Sequence, residues 1–169
     1  MLSKISPTEF EVSCSMTRSS TVTAYVIEEI INGTGASILP TLDFSAICGA
    51  TARKIQINSA QVISSNGATS LPLIARLFLC NVNNPQTVTD YAPFNPSAAV
   101  LASNLACVID DLSSLVHQAS SAYILQQNEI QRNATLDANG HLYPCLLANN
   151  AYVPASGETI SITIKGYLL

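Results

Sequence analysis

The closing stretch of the chain, GETISITIKGYLL, alternates cleanly: Ile160, Ile162 and Ile164 share one parity, and Thr159, Ser161, Thr163 and Lys165 the other. A period of two predicts a strand with one buried and one open face. An open final strand would be a free edge for pairing with other chains. The closing strand is therefore expected either between two others or at an assembly contact. The same texture recurs upstream in FEVSCSMT, TVTAYVIEEII, ILPTLDFSAIC, RKIQINSAQVIS, LPLIARLFLC, AYILQQNEI and HLYPCLL. Between these runs lie NGTG, CGATA, SNGATS, NVNNP, DANG and VPASG. Many short strands punctuated by Gly, Asn and Pro predict an all-β sandwich or barrel.

Three segments refine this picture. LPLIARLFLC is apolar at both parities except at Arg76, as expected of a strand buried on both faces in the middle of the structure. Asn139–Gly140 predicts a type I′ turn with positive φ at both residues. In NPSAAVLASNLACVIDDLSSLVHQ, Ala98, Leu101, Leu105, Val108, Leu112 and Leu115 recur at steps of three and four, with Pro96 and Ser97 as an opening. Periodicity alone predicts one helix over 97–116. The first twenty residues carry Pro7 and a Ser/Thr-rich stretch, and are expected to form an N-terminal arm over 1–20 leading into one domain over 21–169.

Charge changes the picture most. Only 11% of the 169 residues are Asp, Glu, Lys or Arg, against about 25% in an ordinary globular domain. Such a surface is polar but nearly uncharged. It suits a sandwich with hydroxyl- and amide-rich faces, and suits better one largely covered by partners. A net charge of −4, with Arg53–Lys54 the one adjacent basic pair, excludes nucleic acid as the main partner. No stretch approaches the ~20 apolar residues of a membrane span. MLSKISPTEFEVSCS holds no apolar signal region, so folding in a cytoplasm is expected.

Candidate chemistry is sparse. Cys14, Cys48, Cys80, Cys107 and Cys145 form no C-x-x-C pair and read as buried structural thiols. DANGH brings Asp137, Asn139 and His141 together, but without the Gly and Glu spacing of a calcium loop, so it reads as a hairpin turn. Asp110 and Asp111, adjacent on a strand, point to opposite sides and cannot chelate jointly with His117. His141 and Cys145 share a strand face about 13 Å apart, too far for a nucleophile and its base. No G-x-S-x-G elbow exists, NGTG lacks a third Gly for a phosphate cradle, and the sequons at Asn32 and Asn133 carry no meaning without a secretory route. No catalytic, cofactor or metal residue is expected, and the chain reads as a non-enzyme. In DYAPFNP, the proline-pinned aromatics Tyr91 and Phe94 are candidate partner contacts, with folding back onto the core as the alternative. Phe10, in the arm, is the third contact candidate.

From Ala50 onward the order of features is distinctive: ATARKIQINSAQVISSNG, LPLIARLFLCNVNNP, DYAPFNPSAAVLA, LACVIDDLSS, AYILQQNEIQ, then LYPCLLANNAYVPASGETISITIKGYLL. This order resembles small jelly-roll structural proteins of tailed-phage virions, of the decoration, cement or head-fibre kind. The resemblance implies an antiparallel jelly-roll sandwich of about eight strands, and splits 97–116 into a short helix near 97–104 and a strand near 106–113. It further implies a homo-trimer bound non-covalently to the major capsid protein on the capsid exterior, assembled in the host cytoplasm without a cofactor. A fibre-head or carbohydrate-binding β-sandwich meeting a host surface is the alternative. It requires aromatic platforms, and the chain has no Trp and 6% aromatics.

Overall fold

The computed structural model describes residues 8–18, 20, 22–33, 38–48, 54–65, 73–84, 88–110, 112, 117–119 and 122–169. In chain order the elements are β1 (Glu9–Thr17), β2 (Ile30–Ile31), β3 (Leu42–Asp43), α1 (Ser45–Cys48), β4 (Lys54–Ser64), β5 (Ala75–Cys80), α2 (Ala98–Asn104), β6 (Leu105–Ile109), β7 (His117–Ala119), β8 (Ala122–Gln127), β9 (Arg132–Thr135), β10 (His141–Ala148) and β11 (Thr159–Leu168). They build two antiparallel sheets. One runs β1-β11-β4-β8-β7, with β9 also on β4; the other runs β2-β10-β5-β6, with β3 also on β10. The molecule is an all-β sandwich.

The alternation of the closing strand is what buries it. Ile160, Ile162 and Ile164 are sealed in the core, and β11 lies between β1 and β4. Between the sheets these isoleucines meet Ile55, Ile57 and Val62 of β4 and Leu77 and Leu79 of β5. Gly166 marks the β-bulge where the β11–β4 register shifts. A Cβ there would stand 1.9 Å from the Gln56 carbonyl oxygen, so close strand approach demands glycine.

Residues 9–17, assigned above to an arm, are instead β1, paired with β11 at every position from Glu9↔Tyr167 to Thr17↔Thr159. Phe10, Val12 and Met16 fall on one parity and are buried. That apolar stripe needs a sheet to cover, which a free arm would not supply. The turn at Asn139–Gly140 also differs from expectation. Only Gly140 has positive φ (82°). The turn closes by Gly140 N donating to Asp137 O (3.2 Å), and the Asp137 carboxylate accepts from the backbone of Asn139 and His141 (both 2.8 Å). The side chain thus replaces the second left-handed residue.

The 97–113 segment divides into a helix and a strand as the resemblance implied, but the strand ends at Ile109 and not near 113: Asp110 lies outside it and Leu112 is in a turn. Ser97 caps α2 by accepting from Val100 N (3.3 Å), the helix buries no residue, and β6 then pairs with β5. The three- and four-residue spacing continues past Asn104, but Cys107 and Ile109 are claimed by the core as strand residues. Ladder pairing with the central β5 outweighs the local helical pattern. Residues 113–116 lie outside the described residues.

A candidate functional site on the uncharged sheet face

The two outer faces of the sandwich differ. On the five-stranded sheet, Tyr143, Cys145 and Leu147 point away from the main core yet are buried. They belong to a second cluster with Ile30, Leu39, Cys80 and Val88, roofed by Phe78, Ala92 and Phe94. The DYAPFNP loop is therefore a lid on that sheet. Phe94 packs on Phe78 with centroids 4.6 Å apart, and Tyr91 stacks on Tyr25 at 4.3 Å. Both contact candidates in this loop are half-buried and folded back. Phe10 is buried edge-on against Phe44 at 5.2 Å, so it supports the core and has no face to offer a partner.

A buried polar cluster anchors the lid. Asp90 accepts from Arg18 Nη2 (2.7 Å), the Tyr25 hydroxyl (2.6 Å) and Asn32 N (3.0 Å). The Arg18 guanidinium lies over the rings of Tyr25 (4.6 Å) and Tyr91 (5.2 Å). Burial alone would lower the Arg18 pKa, but the Asp90 bond and the two tyrosines hold it above its ordinary value. Burial, then the Asp90 bond, push the Tyr25 hydroxyl well up. Tyr91 sits at φ 64°, a strained conformation held by its stack and by its hydroxyl donating to Thr23 O (2.8 Å). Next to this cluster, Glu158 is buried and accepts from the hydroxyls of Ser64 and Tyr152. With Arg18 and Tyr25 each 1% exposed, the group has no opening for a substrate. It is a loop anchor.

The other polar group, at the Asp137 turn, is smaller. The Tyr143 hydroxyl donates to Asp137 Oδ2 (2.9 Å), and His141 Nε2 lies 3.5 Å from Asp43 Oδ1. Among the described residues, no group of three or more His, Cys, Asp or Glu could hold a metal ion. Asp110 is ion-paired with Arg76 (3.0 Å), while Asp111 and the His117 side chain lie outside the described residues. All five thiols are free, and all but Cys14 are buried. Asn32, in the first sequon, is buried, and its amide donates to Val88 O (2.6 Å).

On the outer face of the six-stranded sheet no loop or helix packs as a lid among the described residues. Register places Ser13, Thr163, Gln61 and Gln126 in one row across four strands, and Ser15, Ser161, Ile63 and Ile124 in the next. These side chains are exposed or half-buried. They bond sideways, Ser13 to Thr163 (2.8 Å) and Gln61 to Gln126 (3.3 Å). Neither row holds a charge. One row further along, Glu11 and Lys165 neutralise each other at 2.9 Å. Three of these strands run nine residues or more and β8 runs six; at ~4.8 Å between strands the face is about 19 Å wide. Sequence reading placed Ser161 and Thr163 on the open parity of the closing strand but proposed no site there, because such rows carry no motif.

No protein-family model matches the chain, and no curated protein matches it in sequence.

Proposed function

We propose that the chain is a structural virion protein that decorates or cements a tailed-phage capsid by non-covalent binding to the shell. The observation that carries this reading is the uncharged face of the six-stranded sheet, without a lid among the described residues, opposite a sheet whose outer face is sealed by its own loops. The short hydroxyl side chains of Ser13, Ser15, Ser161 and Thr163 lose little rotamer entropy on contact, and neither row has a charge to desolvate. Such a surface suits a long-lived packing contact, and the reading assigns the chain no catalysis.

The strand order supports a jelly roll, and with it the resemblance. Setting aside the short β3, β7 and β9, pairing is nested: β5 with β6, β4 with β8, β2 with β10 and β1 with β11. That is the pairing of one long folded ribbon. Rolling it up also brings β11 beside β4 and β10 beside β5, the remaining contacts of the two sheets. Two Greek keys wound in this way form the jelly roll common among capsid proteins.

The test is co-sedimentation with assembled phage heads, comparing the native chain with Gln61→Lys and Ser161→Lys. Both substitutions lie on the exposed face and leave the core untouched. Binding by the native chain that either lysine weakens at least tenfold is expected. Binding that ignores both lysines, or hits on a glycan array with none on heads, would move the reading to the carbohydrate-binding alternative.

A further inference from the structure

The hydrogen-bond phase of β1 shows which of its backbone groups lack a partner. At one end Leu168 N donates to Thr8 O (2.9 Å); at the other Arg18 N donates to Glu158 O (2.8 Å). Between them the β1–β11 register is unbroken. In an antiparallel ladder, bonded and non-bonded pairs alternate, so the even-numbered residues of β1 spend their N–H and C=O groups on β11. Glu9, Glu11, Ser13 and Ser15 turn theirs to the other side. Among the described residues no strand pairs there, and β1 ends the sheet. Natural edges of this length are blunted by charged side chains, proline, a bulge or a covering loop. β1 has no proline and no bulge, and its charges, Glu9 and Glu11, are confined to its first half.

We infer that the β1 edge pairs antiparallel with the β1 edge of a second copy of this chain, across a two-fold axis at Ser13. Charge placement excludes the arrangements that oppose glutamates, and overlap over the whole of β1 selects the register among the rest. Glu9 and Glu11 are the only charges on β1, both in its first half. Two-fold pairing about Ser13, the midpoint of the strand, sets Glu11 opposite the partner's Ser15 and Glu9 opposite the partner's Thr17. A parallel arrangement, or an axis at Glu11, would set glutamates directly against each other, which is destabilising. In the selected register, Ser13 and the two Glu11–Ser15 pairs form about six new backbone hydrogen bonds, two per pair. The contact is isologous, so it closes at two copies. It joins the two uncharged faces into one twelve-stranded surface and does not rest on the capsid reading.

Light scattering on the full chain at ~100 µM tests it. A mass of about 36 kDa, twice the 17.9 kDa chain, is expected, falling to that of one chain in Ser13→Pro. Proline at this edge position removes an N–H that bonds nothing within the monomer, so far-UV circular dichroism stays unchanged. Ser13→Cys provides a readout independent of proline's effect on folding. Opposed Cα atoms about 5.5 Å apart are within disulfide range, and mild oxidation joins most chains in pairs, whereas Ser161→Cys does not. Burial pushes the native Cys14 thiol up to about 12, so it does not compete. A native mass of one chain or three, a Ser13→Pro variant that still pairs, or no cross-link through position 13 overturns the inference.

Discussion

Removing Asp90 tests whether the lid is held by its polar anchor or by apolar packing alone. In Asp90→Ala the Arg18 guanidinium, fully buried and bonded to Asp90 at 2.7 Å, keeps its charge without a counter-ion. The Tyr25 hydroxyl and Asn32 N lose their acceptor in the same stroke. Breaking a buried ion pair from one side costs about 3–5 kcal/mol. The Asp90 side chain is itself 13% exposed, so water reaches the vacated position and the lower end applies, about 3 kcal/mol. For a chain of this size that lowers Tm by about 6–12 °C.

The double-mutant cycle makes the test specific. Arg18→Met removes the charge that would be orphaned, while its unbranched chain keeps the packing under Tyr25. Alone it costs about 1–2 kcal/mol, because Asp90 retains two donors and partial hydration. In the Arg18→Met background, Asp90→Ala then costs about 1 kcal/mol, a coupling near 2 kcal/mol. The assay is urea unfolding followed by far-UV circular dichroism, with m-values checked for constancy. Additivity within about 0.5 kcal/mol, or an Asp90→Ala cost below about 1 kcal/mol, refutes the anchor.

Two further perturbations probe other joints. Gly166→Ala drives a methyl into the Gln56 carbonyl at the bulge and is expected to cost roughly 2–4 kcal/mol in urea unfolding; a cost under about 0.5 kcal/mol shows that the strands can part there. Burial alone would raise the Asp137 pKa, but the N–H groups of His141 and Asn139 and the Tyr143 hydroxyl together hold it below the usual value. The folded pKa is thus below the unfolded one, near 3.9. The stability it contributes is present above about pH 4 and fades as pH falls through the folded value. The gap between native and Asp137→Ala proteins is accordingly constant near neutrality and narrows at pH 3, and a pH-independent gap contradicts it.

What the sequence made legible follows from where each constraint is written. Period-two alternation at 160–165 and in FEVSCSMT is a one-dimensional trace of a two-faced sheet, so strand identity and the buried parity can be read directly. The two-sided burial of LPLIARLFLC likewise foretold β5, which lies between β10 and β6. The misreadings came from what alternation does not encode. Pro7 and the serines around β1 pointed to an arm because no local signal says that β11 returns 150 residues later to cover Phe10, Val12 and Met16. For Tyr91 and Phe94 the choice between partner contact and folding back stayed open, because their seats, Tyr25 and Phe78, lie in other runs of the sequence. The Arg18–Asp90–Glu158 neighbourhood was unreadable for the same reason: its members come from three loops, and each alone is an ordinary surface residue type.

The low charge of the chain acquires a location once the ion pairs are placed. Arg18 is consumed by Asp90, Arg76 by Glu28 and Asp110, and Lys165 by Glu11. These pairs lie in the loop anchor, beside the sealed sheet, and at the Glu9 end of the open one. What they leave uncharged is the middle of the six-stranded face and the second half of the edge that borders it. Both belong partly to β1, where Ser13 and Ser15 display hydroxyl side chains on the face and backbone groups that pair with no other strand among the described residues. An isolated monomer gains nothing from leaving such an edge unblunted, since every neighbouring copy is a pairing hazard. A chain built to be covered gains a directed contact at the rim and a charge-free one on the face. If both proposals hold, one strand supplies two orthogonal contacts, one in the plane of the sheet to a second copy and one normal to it to another surface.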